Sequence, residues 1–150
     1  MKFRFVWIGK TKDKNWKALQ DDYLKRLSRF VKCEITELKE SAASETVESE
    51  GNRIISAVNQ SSLVCLLDVK GRSIGSQELA GQIEKWQNDA VKEVTFVIGG
   101  ASGVAKKVVE TAHIVLSLSF LTFTHDMARV ILLEQLYRAQ TIIKGFPYQK

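Results

Sequence analysis

Residues able to do chemistry concentrate in the last third of this 150-residue chain. Gly99-Gly100-Ala101-Ser102-Gly103 follows the apolar run Val94–Ile98. Glycines between a strand and a helix let backbone approach a ligand and tolerate positive φ. The spacing is not G-x-G-x-x-G, and no acidic residue follows at a strand end about 20 residues on, which disfavours a dinucleotide fold. There is no G-x-x-x-x-G-K-[ST], so a P-loop is excluded. The histidines, His113 and His125, stand at no metal-ligand spacing, and there is no C-x-x-C, so metal chemistry has little to build on. Ser117 and Ser119 lack an identifiable His-Asp pair, so hydrolysis is unsupported. His113 is expected to cap or pack at a strand start. His125, beside a loop of Ser, Thr and apolar residues, suits a structural hydrogen bond as well as proton transfer.

The elements that must hold these residues alternate. Phe3–Ile8 reads as a strand, Trp16–Phe30 as an amphipathic helix and Val31–Leu38 as a half-buried strand. Val47–Val58 reads as a helix whose acidic start complements its dipole. Leu63–Leu67 is a continuous apolar run, a central strand ended by Asp68. Ser76 is the expected N-cap of a helix over Gln77–Gln87. Glu93–Ile98, a short helix over Val104–Thr111 and a short strand over His113–Leu116 follow. Ser117–Phe123 is a loop, and Thr124 caps a long helix from His125 to Lys144, stopped by Gly145 and Pro147. The pattern predicts one α/β domain over 1–150, a mostly parallel sheet with helices on both faces. The last helix is apolar in two sectors, Leu132, Leu136, Ala139 and Ile143 on one side and Val130, Leu133 and Tyr137 on another. It is either sandwiched within one chain or shared with a second copy; the chain length favours a homodimer.

Composition sets the setting. No apolar run is long enough to span a bilayer, and MKFRFVWIGK carries charges inside its apolar stretch, unlike a signal peptide. Cys33 and Cys65, both in expected strands, read as buried thiols of a cytoplasmic protein. The net charge is +5, unevenly spread. Residues 1–32 hold ten Lys/Arg against three Asp, whereas residues 33–50 hold one Lys against six Glu. The basic end, with Lys10, Lys12, Lys14, Lys17, Lys25, Arg26 and Arg29, suits a phosphate-rich partner or a merely solvated face.

Six short motifs, in order, resemble one family. They are Leu-Asp-x-x-Gly at Leu67–Gly71, Ile-Gly-Gly-x-x-Gly at Ile98–Gly103, Ser-Leu-Ser at Ser117–Ser119, Thr-x-x-His at Thr122–His125, Glu-Gln-Leu-Tyr-Arg-Ala at Glu134–Ala139, and the tail Pro147-Tyr148. Together they are similar to the rRNA large-subunit methyltransferase H family of the SPOUT methyltransferases. That resemblance implies a carboxyl-terminal trefoil knot, which ordinary topology rules would not suggest. It implies S-adenosyl-L-methionine as methyl donor, bound by Leu67, Gly100 and the loop Ser119, Phe120, Leu121, Thr122, Phe123 and Thr124. It implies N3 of a pseudouridine in 23S rRNA, presented on the ribosome, as acceptor. An imide nitrogen must lose its proton and be aligned, and the developing anion stabilised. Arg138 and Lys150 suit the anion, Tyr148 the positioning of the base, and His125 stands beside the loop. Two positions depart from the family: Thr124 where proline is usual, and Gln149 where the tail usually has a histidine. The competing class is a non-catalytic ribosome- or RNA-binding protein on the same scaffold. The intact glycine turn and Ser-Leu-Ser loop favour a working cofactor site.

Overall fold

A computed structural model describes residues 1–148. Each strand is followed by a helix that carries the chain back, so every strand pair is parallel. The strands are β1 (Lys2–Ile8), β2 (Lys32–Leu38), β3 (Leu63–Ser73), β4 (Glu93–Ile98) and β5 (Ile114–Ser117). They form one sheet in the order β2-β1-β4-β3-β5. The helices are α1 (Lys14–Leu27), α2 (Val47–Ala57), α3 (Ser76–Asn88), α4 (Lys106–Thr111) and α5 (His125–Lys144).

Alternation along the strands feeds two cores. Phe3, Phe5, Trp7, Phe96 and Leu67 pack with Leu27 of α1, Ile83 of α3 and Leu132 and Leu136 of α5. Val6, Val64, Leu66 and Val97 point the other way, onto Ile54 of α2 and Val108 of α4. β4, in the middle of the sheet, is buried at every position. Cys65 is buried and Cys33 partly so, both as free thiols. Among the described residues no helix is long and apolar enough to cross a membrane.

Several boundaries differ from the sequence expectation. α1 begins at Lys14, because the Asp13 carboxylate accepts from the backbone N–H of Asn15 at 2.8 Å and of Trp16 at 3.1 Å. It closes at Leu27 rather than running to Phe30. Asp68 does not end β3. The chain swings out after Leu67 and rejoins the sheet, so Leu116 lies opposite both Leu67 and Arg72, and Ser117 opposite Ser73. Gly71 makes this return possible: a Cβ there would lie 2.7 Å from the Leu116 carbonyl carbon and the Val115 oxygen. Ser76 is not the N-cap of α3. Gly75 is, and the Ser76 hydroxyl instead donates to Gln135 Oε1 of α5 at 2.6 Å. α4 starts at Lys106 and β5 at Ile114.

α5 begins and ends as expected. The Thr124 hydroxyl accepts from Met127 N–H at 3.3 Å, and Gly145 ends the helix at φ 68°. The two apolar sectors, however, are covered by the chain itself except at Tyr137 and Ile143, which stay half-exposed. Leu132, Leu133, Leu136 and Ala139 are fully buried in the single subunit, against α1, α3 and the sheet. Their burial therefore needs no second copy. α5 also leaves half-exposed a strip outside those sectors, Ala128, Ile131, Gln135, Arg138 and Ile142.

Candidate active site

Because all strands are parallel, the loops that leave their carboxyl ends meet at one edge, the usual ligand edge of α/β sheets. They are residues 9–13, 39–46, 99–105 and 118–124, joined at this edge by the bulge 68–71 within β3. Between the last three lies a cavity of about 350 Å³. Its walls are Leu67, Ile98, Leu118 and Phe123, the backbone of Gly99 and Gly100, and His125 and Ala128 from the first turn of α5. An apolar, concave site with a few backbone polar groups suits a flat heterocycle.

The structure brings most of the expected cofactor residues together. Leu67, Gly100, Ser119, Leu121, Thr122 and Phe123 line this cavity. Phe120 and Thr124 do not. The Phe120 ring stands 72% exposed, and the Thr124 hydroxyl is engaged in capping α5. The Ser119 loop is held by its own hydrogen bonds: Ser117 Oγ donates to the Ser119 carbonyl at 2.9 Å, and Leu121 N–H donates to Ser119 Oγ at 3.0 Å. In the glycine turn, Gly103 has φ 90° and bridges back to Gly100. A Cβ on Gly100 would meet both Glu50 carboxylate oxygens at 2.5 Å. A side chain at position 100 would thus first meet the movable end of Glu50, on the side facing α2.

His125 lines the cavity and is held below its ordinary pKa, first by burial and then by the charge of Arg129. It is a neutral imidazole at neutral pH and can accept a proton. His113 does pack at a strand start: its Nδ1 accepts from Val64 N–H at 2.9 Å.

The other expected catalytic residues lie elsewhere in the subunit. Along α5, His125 and Arg138 are about 20 Å apart at roughly 1.5 Å of rise per residue. Arg138 pairs with Glu134 and lies 4.9 Å from the centre of the Tyr148 ring. The Tyr148 hydroxyl donates to Glu134 Oε1 at 3.1 Å and lies 3.5 Å from the Tyr23 hydroxyl. Burial, then the bond to Tyr23 and the Glu134 charge, push the Tyr148 phenol well up, so it stays protonated. Tyr137 and Phe30, just past the end of α1, extend this aromatic cluster. Lys150 lies outside the described residues.

Sequence reasoning missed two residues. Arg129 is 2% exposed on α5. It donates to the Ile8 carbonyl at 2.6 Å and Thr11 Oγ1 at 2.9 Å, and its guanidinium lies 4.9 Å from the Trp7 ring centre. The signal was a lone cation inside the apolar run of a buried helix. Glu50, read as one more acidic residue at a helix start, is buried against the glycine turn, its Oε1 accepting from Gly100 N–H at 3.1 Å. The clue was Gly51 beside it.

With this geometry in place, comparison with known proteins identifies the class. The family described as "Predicted SPOUT methyltransferase" matches residues 1–149, and the chain belongs to that family. Solved structures of similar fold include one described as tRNA (m1G37) methyltransferase from Aquifex aeolicus, at TM-score 0.56 and 11% identity, covering 100% of this chain and 74% of that one. Another, a putative methyltransferase from Legionella pneumophila in complex with the bound cofactor SAM, has TM-score 0.50 and 14% identity, covering 93% and 66%. The curated relatives are narrower. The ribosomal RNA large subunit methyltransferase H of Geobacter metallireducens is 43% identical over 151 residues, covering 99% of this chain and 98% of that protein. The protein of the same name from Halothermothrix orenii is 42% identical over 159 residues, covering 100% of both. The methyltransferase H resemblance read from the six motifs therefore holds over the full chain, and the non-catalytic alternative finds no support.

Proposed function

We propose that the protein transfers a methyl group from S-adenosylmethionine to N3 of a pseudouridine in 23S rRNA, acting on the ribosome in the cytoplasm as a homodimer. The observation that carries the reading is the apolar cavity between the glycine turn and the Ser119 loop, at the same edge as the exposed Lys10, Lys12 and Lys14. Relatives named for large-subunit rRNA methylation support the substrate, and a neighbour of like fold with bound SAM supports the cofactor. The trefoil threading of the carboxyl-terminal region rests on membership of the SPOUT family.

S-adenosylmethionine, when bound, supplies a methyl group on a sulfonium that carries its own leaving group. Leu67, Gly100, Ser119, Leu121, Thr122 and Phe123 would hold its adenosyl part, with Thr124 fixing the end of that loop where it caps α5 and the exposed Phe120 free to close over the ligand. His125, neutral and at the cavity wall, is a group able to take the imide proton. Arg138 stays cationic beside Glu134 and Tyr148 stays a neutral donor, so they suit orienting and charge-balancing roles rather than proton removal. Their distance from the cavity in one subunit supports a dimer in which the tail of one copy, Tyr148 to Lys150, serves the cavity of the other. The basic loop and α1 then follow RNA phosphates.

The test uses isotopically labelled cofactor with ribosomes lacking the modification. Methyl label should enter one nucleotide of 23S rRNA, more on ribosomes than on protein-free rRNA, and fall with added salt. Label on another RNA, or none, defeats the substrate assignment; equal labelling of naked rRNA defeats the ribosomal requirement.

A further inference from the structure

Glu50 is a buried carboxylate with no ion-pair partner among the described residues. Its side chain reaches the glycine turn because Gly51 lets α2 lie close on α4: a Cβ at Gly51 would come within 2.8 Å of Ala105 Cβ and 3.2 Å of Val108. Glu50 is 7% exposed. One carboxylate oxygen accepts from Gly100 N–H at 3.1 Å and the other from the Ser41 hydroxyl. Neighbouring glutamates have their own partners: Glu40 pairs with Lys12 at 2.6 Å and Glu45 with Arg53 at 2.8 Å. Arg53 reaches only Ser41, at 3.2 Å, on the Glu50 side. Among the described residues no Lys or Arg nitrogen lies within ion-pair distance of Glu50. Buried charges are normally paired, because two neutral hydrogen bonds do not repay the loss of water.

A second, more polar cavity of about 250 Å³ adjoins the first. Ser41, Thr46 and Glu50 line it, and it shares Gly100, Ala101 and His125 with its neighbour. Glu50 therefore lines the second cavity while bonded to Gly100, one of the residues the two cavities share. We infer that Glu50 is the counter-ion for the positively charged methionyl half of S-adenosylmethionine, with the uncharged adenosyl half in the apolar cavity. This rests on the cofactor reading above. It gives the carboxylate its missing partner, and it makes the charge of the ligand, not only its shape, a determinant of binding.

Glu50→Gln keeps an oxygen for the Gly100 N–H and removes the charge. Calorimetric titration should show S-adenosylmethionine binding about tenfold weaker or worse, the scale of one lost charged contact. Binding of 5′-methylthioadenosine, which has the adenosyl group on a neutral sulfur and no amino acid, should stay within about twofold. Equal loss for both ligands would mean that Glu50 only shapes the turn, and no loss for either would also overturn the inference. A wild-type protein that binds neither ligand defeats the cofactor reading instead. Should Glu50→Gln not fold, wild-type protein carrying ¹³C-labelled glutamate carboxyls gives the answer. The Glu50 resonance, assigned with Glu50→Asp, should move on adding S-adenosylmethionine and stay put with methylthioadenosine; a resonance that ignores the charged ligand overturns the inference.

Discussion

Gly100 and Glu50 act as one unit at the residue scale. A Cβ at position 100 would press on the carboxylate before it reached any ligand, so Gly100→Ala should distort the turn and weaken methylthioadenosine binding by about tenfold. Shortening the obstacle in the double variant Gly100→Ala/Glu50→Ala should restore most of that affinity, since coupled neighbours are not additive; a double variant as weak as the single one shows that the clash lies elsewhere. His125 gives a pH signature. Its folded pKa lies below the ordinary value near 6.5, through burial first and the Arg129 charge second. The unfolded chain therefore takes up the proton at higher pH than the folded one. Stability from this group is complete above about pH 6.5 and is lost as pH falls toward the folded value. Melting temperatures taken from pH 7.5 to 5 should drop more steeply for the wild type than for His125→Gln. Parallel curves would show that folding leaves the imidazole pKa unshifted.

The elements show what a sequence can and cannot disclose. The strands were legible because β3 and β4 are apolar runs and β1 is rich in aromatic and branched residues. α5 was legible from Thr124 and Gly145. The extension of β3 was not, because Asp68, Lys70 and Arg72 look like a loop, and only the facing backbone of β5 turns their far end into a strand. Nor was the burial of Arg129 and Glu50, since each is explained by a partner distant in the chain: Ile8 and Thr11 for one, Gly100 for the other. Arg129 ties α5 to the basic loop after β1. Arg129→Ala should cost about 3 kcal/mol by urea unfolding, the scale for removing a buried charge from its acceptors, and should speed hydrogen exchange in residues 9–13. A cost below about 1 kcal/mol would mean that the loop is held by other contacts.

At the scale of the whole molecule, the proposed homodimer would cover what the single chain leaves half-exposed on α5. Leu136 is fully buried, so Leu136→Glu should unfold the protein at a cost of roughly 3–5 kcal/mol rather than merely separate two copies. Ile131 lies on the half-exposed strip. Ile131→Glu should give a folded monomer by sedimentation and circular dichroism. A dimer that survives this change moves the interface off α5. The strand order has a further consequence, for synthesis. Lys2 lies opposite Glu93, so the first strand made cannot gain its second neighbour until β4 has been translated. The edge that holds the cavity is completed later still, by His125 and Ala128. A nascent chain therefore spends most of its elongation with β1 exposed along one side, and closure depends on contacts far apart in sequence, which form slowly. Its ligand site is the last thing built: a polypeptide released before α5 can have most of its sheet and still bind nothing.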